Sequence, residues 1–188
     1  MPMAIATTSE VADEGVLRRA LWRVRQFSHA IRSQPDPAVD AELRRLLDCD
    51  AQWDLLARLT PFDRAHHLRV HQWLVDAGVT DPDLLRAGLL HDVGKADDLG
   101  RVHPLHRAVC VLIAKISPSL LERLAVRGTW YGHGLWLNLH HAEIGADLAR
   151  RAGATERCCT LIRAHANSGP QSDPMVIALI AADNATIR

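Results

Sequence analysis

The 188 residues have no excess of either charge: 22 Lys and Arg stand against 22 Asp and Glu, and the pI is near 7.2. The basic footprint of a protein that grips nucleic acid is therefore missing. No apolar run reaches the roughly 18 residues that would cross a bilayer. Met1 to Glu10 also lacks the cationic and apolar blocks of a secretion signal. Cysteine is scarce. Cys49, Cys110, Cys158 and Cys159 form no C-x-x-C pair, so neither a zinc ribbon nor a dithiol redox motif fits the chain. They read as reduced, mostly buried apolar residues. These absences predict a cytoplasmic protein with neither a membrane nor bulk nucleic acid as partner.

What is present is enough for a core. Hydrophobic residues make up 48% of the chain and charged residues 23%, and a chain of this length buries about 70% of its unfolded surface without staples. The apolar spacing is helical almost throughout, and period-two alternation with β-branched residues is scarce, so the expected fold is all-α. Leu17, Leu21, Val24, Phe27 and Ile31 mark one amphipathic face, which ends at Pro35-Asp36-Pro37. A helical stretch from about Ala38 to Leu59 follows, with a break near Asp48-Cys49-Asp50. Thr60-Pro61 and Asp81-Pro82 are caps with proline in the first turn, opening helices that run to about Ala77 and to His91-Asp92. Gly94 is expected to stop the second of these. Further helices are predicted near 104–116, 118–126, 142–152, 156–166 and 174–187, with Gly128 to Gly134 as a loop. Residues 1–60 are expected to form a helical extension packed on a core domain, 61–188.

Histidine is the excess: there are 11, most of them after residue 60. Shifting the chain by 74 positions lays His66-His67 on His140-His141 and His91 on His165, and brings the caps Asp81 and Thr155 together. Each unit is a helix with a histidine pair, a turn, and a second helix ending in histidine. An antiparallel helix pair of that kind returns the chain and brings its two histidine positions close. Imidazole and carboxylate form a good mixed ligand set for Zn²⁺, Mn²⁺ or Fe²⁺, and His91-Asp92 supplies both. Asp183 stands in an otherwise apolar helix, Ala181-Ala182-Asp183-Asn184, where a carboxylate needs a partner or a metal.

In HHLRV, AGLLHDVGK, HHAEIGA, LIRAHA and IAADNA the sequence resembles the HD-domain superfamily of metal-dependent phosphohydrolases, from about Pro61 to Ile187. The H…HD…D pattern falls on His67, His91, Asp92 and Asp183. The resemblance implies an HD-type helical bundle with divalent metal held between helices. Dinuclear members add two histidines between HD and the last Asp, here His141 and His165, with Asp92 as the bridge. Two ions are then expected, with Fe or Mn favoured over Zn, Ni, Co and Mg. The stretch from Asp92 to His141 departs from the pattern by its length, and the GYP signature of the cyclic-di-GMP phosphodiesterases is missing.

The implied activity is hydrolysis of a phosphomonoester or phosphodiester in a nucleotide or other small phosphorylated metabolite. A divalent ion lowers the pKa of bound water and neutralises phosphoryl charge. Asp92 would orient the attacking water, and Lys95 would meet a phosphate oxygen as a point charge or cap the helix. The same ligand set would serve a mixed-valence di-iron oxygenase of that superfamily, and a non-catalytic regulatory domain would keep it for stability. Among the other histidines, His66 and His71 read as surface or supporting residues, and His29 as structural. His140 competes with His141 for the ligand role, and His106-Arg107 is a candidate anion contact. Trp22, Trp53 and Trp73 read as core or helix-packing residues. Trp130, Tyr131 and Trp136 read as core or as a lid that stacks on a base.

Overall fold

Proline and a small polar cap open most of the helices, which fixes where each begins. In the computed structural model, which describes residues 34–167 and 169–186, the side chains of Asp36, Thr60, Asp81, Ser117 and Thr155 each accept a backbone N–H from the first turn that follows. The helices are α1 (Pro37–Leu46), α2 (Asp50–Ala57), α3 (Pro61–Asp76), α4 (Pro82–Leu90), α5 (Pro104–Ile116), α6 (Pro118–Leu124), α7 (His133–Arg151), α8 (Glu156–Ala164) and α9 (Pro174–Thr186). Between α4 and α5 lie a 3₁₀ turn, Val93–Lys95, and a two-stranded antiparallel ribbon, β1 (Ala96–Asp97) and β2 (Gly100–Arg101). The fold is all-α apart from that ribbon. The predicted N-terminal helix, with Trp22 and His29, lies outside the described residues. No helix among the described residues is long and apolar enough to cross a membrane.

From Gln34 onward the chain forms one compact unit. Leu43, Leu56 and Leu59 are buried in the same cluster as Leu74, Leu89, Leu90, Leu161 and Leu179, so α1 and α2 build the core along with α3, α4, α8 and α9. Each fully buried leucine contributes about 1.5–3 kcal/mol. A smaller second cluster, Cys110, Leu121, Ala125 and Leu135, joins α5, α6 and the start of α7. Cys49, Cys110, Cys158 and Cys159 are all free thiols, and only Cys49 is exposed.

Three expectations need correction. The helix predicted near 142–152 begins at His133, so the last two residues of the supposed glycine loop, His133 and Gly134, are helical. Gly134 is needed for close packing there: a Cβ on it would lie 2.1 Å from Nδ1 of His106. Gly94, expected to stop α4, lies in the 3₁₀ turn beyond the helix end at Leu90 and is a contact residue; the positive-φ glycines among the described residues are Gly78, Gly128 and Gly153. Of the tryptophans read as core, Trp53 is buried beneath the Arg44 guanidinium, but Trp73 is exposed, and so are Trp130 and Tyr131. Trp136 is half-buried, stacked on His133 with Arg127 above its ring.

Candidate metal centre

Two helix hairpins, α3–α4 and α7–α8, meet at the centre of the bundle. Helices α4 and α8 are nine residues each, and each is capped at its C-terminus by a histidine in helical conformation: His91 (φ −54°, ψ −34°) and His165 (φ −63°, ψ −28°). Their starts are tied together, because the Thr155 hydroxyl donates to Asp83 over 2.5 Å. Equal lengths from a common start bring both histidines to one level, and their ring centroids lie 5.1 Å apart.

The return of the chain after His91 depends on two glycines. At Gly94 a Cβ would stand 2.0 Å from the carbonyl oxygen of His141 and 2.5 Å from the nitrogen of Gly145. The 3₁₀ turn therefore lies directly against the α7 backbone. That contact carries Asp92 to His141 and His165, whose Nε2 atoms are 3.4 and 3.6 Å from Asp92 Oδ1.

Four histidines present the same nitrogen inward. The Nδ1–H of His91, His141 and His165 donates to the carbonyl three residues back, of Gly88 (3.1 Å), Asn138 (2.8 Å) and Ile162 (2.6 Å). That of His67 donates to Leu89 on the facing helix, over 2.5 Å. A backbone acceptor on Nδ1 fixes the tautomer and leaves Nε2 with a lone pair, the arrangement that supports metal-ligating histidine. Nε2 of His67 and of His91 is buried with no hydrogen-bond partner. Such orphaned atoms are costly in a core unless a ligand uses them.

The potential ligand atoms form three overlapping groups, each within 4.8 Å: His67, His91 and Asp92; Asp92, His141 and His165; and His66, His91 and Asp183. All six sequence-predicted ligands thus come together. His66 joins them, and it is His66, not His67, that meets Asp183, its Nε2–H donating over 2.9 Å. Asp183 Oδ1 also lies 3.7 Å from His91 Nε2. These buried His and Asp clusters are able to hold a metal ion. His140, the rival of His141, is half-exposed and faces Glu143. His71 is buried away from the groups, with its Nδ1 unpartnered. His103 caps α5 and receives no role, and His106 accepts its backbone N–H. His133 donates to Asp97 and pins the ribbon to α7.

Electrostatics suits the same purpose at His67 and His141. Burial lowers the His67 pKa to about 3 and the His141 pKa to about 4, so both are neutral and ligand-competent near pH 7. Burial pushes His91 the same way, but the Asp92 and Asp183 carboxylates outweigh it and raise its pKa to about 10. Burial alone would raise Asp92, yet Lys95 and His91 hold it well below the usual carboxylate range. The Lys95 ammonium pairs directly with Asp92 Oδ2. It therefore faces the carboxylate rather than capping α4.

Sequence reasoning missed Asp63. It is buried at 3% exposure, one turn before His66 and His67 on α3. Thr60 donates to one of its oxygens over 2.6 Å, and Arg107 of α5 donates to the other over 2.5 Å. Its place in the first turn of a capped helix disguised it as a capping residue; its spacing from His67 was the available signal. Comparison with protein-family models, curated proteins and solved structures found no match.

Proposed function

We propose that the chain is a metal-dependent phosphohydrolase acting on a small phosphorylated substrate, with two divalent ions held by His67, His91, Asp92, His141, His165 and Asp183. The observation that carries this reading is the convergence of four histidine Nε2 atoms, each with Nδ1 tied to a backbone carbonyl, on two carboxylates. Asp92 is common to two of the three ligand groups, which supports its assignment as the bridge. Fe or Mn suits this nitrogen and oxygen set, and four free cysteines accord with work in the cytoplasm.

Bound divalent metal supplies charge neutralisation at the phosphoryl oxygens and a lowered pKa for water. The chain's own groups do the rest. Asp92, held as the carboxylate, accepts a hydrogen bond from the attacking water and orients it. Lys95 offers its ammonium to a non-bridging oxygen. His66 holds Asp183 by its Nε2–H, which fixes the direction of the carboxylate lone pairs.

The test is elemental analysis of protein purified with and without oxygen, together with phosphate release from a panel of mono- and diesters. Two ions per chain, falling in His141→Ala and Asp183→Ala, with phosphate release lost in both, are the expected results. No metal under either condition would overturn the reading. Oxygen consumption with iron bound and no phosphate release would assign the site to oxygenase chemistry.

A further inference from the structure

Arg107 is a cation brought to the cluster helix from the second, smaller core. Helix α5 packs on α6 and α7, and the side chain of Arg107 leaves that lobe to reach Asp63, one turn from His67. Asp63 is an unusual anchor for a surface arginine, since its own side chain is 5% exposed and its second oxygen is taken by Thr60. The Arg107 side chain is 32% exposed, so part of it remains open to a ligand. Asp63 engages Nη2 only, and Nε is buried with no hydrogen-bond partner. A fork with one edge clamped and donors left over is pre-organised for a planar or tetrahedral oxyanion. Burial disfavours its charge, but the carboxylates of Asp63, Asp92 and Asp183 together outweigh that. Through Asp63, Arg107 is anchored to α3 one turn from His66 and His67.

We infer that Arg107, clamped by Asp63 at the edge of the cluster, is the residue that binds the non-bridging oxygens of the substrate's phosphoryl group. This rests on the phosphohydrolase reading and deepens it by assigning the anion subsite. The subsite is strengthened by metal: bound divalent ions would add positive charge beside Lys95 and Arg107, so the loaded cluster attracts an anion more strongly than the metal-free one. The guanidinium supplies what Lys95 does not, a fixed fork matched to two oxygens.

The probe is inorganic phosphate, titrated calorimetrically into the full chain loaded with Mn²⁺, with metal content measured on the same samples. Arg107→Ala is expected to weaken phosphate binding about ten- to a hundredfold with metal content unchanged. Arg107→Lys should fall between the two, and metal-free wild type should bind phosphate more weakly than the loaded protein. Should Arg107→Ala fail to fold with Asp63 left unpaired, the Arg107→Ala/Asp63→Asn double variant removes both buried charges and is expected to give the same loss. Phosphate binding within twofold of wild type in either variant would overturn the assignment, and so would a loss of metal together with phosphate. Loaded wild type that binds no phosphate would overturn it too and leave the metal site standing. Wild type that takes up no metal would instead remove the function on which it rests.

Discussion

Gly94→Ala should dismantle the metal centre without touching a ligand. The new Cβ would stand 2.0 Å from the His141 carbonyl oxygen and 2.5 Å from the Gly145 nitrogen, where ordinary contact begins near 3.4 Å. Both obstacles are backbone atoms in the middle of α7, so no rotamer relieves them. The 3₁₀ turn and α7 must separate by about 1.4 Å, while metal–ligand distances tolerate only about 0.2 Å. Overpacking costs about 1–3 kcal/mol, occasionally more, and a backbone clash this short belongs at the top of that range. At about 2–4 °C per kcal/mol, the melting temperature should fall by roughly 6–12 °C. Gly145→Ala is the control. Its Cβ would meet Gly94 N at 3.2 Å and His91 O at 3.5 Å, a few tenths of an ångström to absorb. The gain in helix propensity of about 1 kcal/mol offsets that. The assay is thermal denaturation followed by circular dichroism, with metal content by elemental analysis. Gly94→Ala melting within about 2 °C of wild type and holding full metal would refute the close-approach argument.

Other perturbations separate the roles. Chelation should lower the melting temperature reversibly, because metal at a hundred times its Kd adds about 2.7 kcal/mol to the native state; an unchanged melt in EDTA would contradict a structural contribution. His67→Ala should remove one ligand and reduce metal stoichiometry, whereas His66→Ala should keep stoichiometry and weaken affinity about 10–100-fold through the loosened Asp183, as metal titrations will show. For the metal-free protein, the neutral forms of His67 (pKa about 3) and His141 (about 4) are favoured by folding. The unfolded chain then binds more protons, so stability is lost as pH falls from about 6.5, by about 1.4 kcal/mol per pH unit for each histidine. His91, raised to about 10, has the opposite sign and loses its contribution as pH rises from 6.5 toward 10. Melting curves across pH 4.5–9 check both arms, and a flat profile below 6.5 would count against the buried neutral histidines. An alanine inserted in the middle of α8 should turn His165 about 100° away from Asp92 and cut metal binding, with the helix itself retained by circular dichroism.

Much of the bundle could be read from caps. Asp81-Pro82 and Thr60-Pro61 announce helix starts because a side-chain acceptor and a missing N–H act locally, within one turn. Tertiary proximity was harder to see. Gly94 and Gly134 looked like breaks because a glycine needed for backbone contact is indistinguishable in sequence from one needed for a turn. The start of α7 was lost with Gly134 for that reason. The core reading of Trp130 and Tyr131 failed because aromatics usually bury area; here they stand exposed. Asp63 was overlooked because its partner, Arg107, lies on a helix with a core of its own, and nothing in the local sequence signals a salt bridge across that gap.

The 74-residue shift did carry tertiary information, for a geometric reason. His91 and His165 both follow nine-residue helices, and both donate Nδ1–H to the carbonyl three residues earlier. A side chain bonded back along its own helix has its direction set by local geometry alone, so the same local bond yields the same aim. Position is then set by length: with the N-termini joined through Thr155 and Asp83, equal helices end level. His141 shares the local bond but His67 does not; it reaches across to Leu89 on α4. The shift therefore locates all four histidines, while the orientation of His67 follows only from the packing of α3 on α4. Gly88 allows that packing, since a Cβ there would lie 2.9 Å from Leu74.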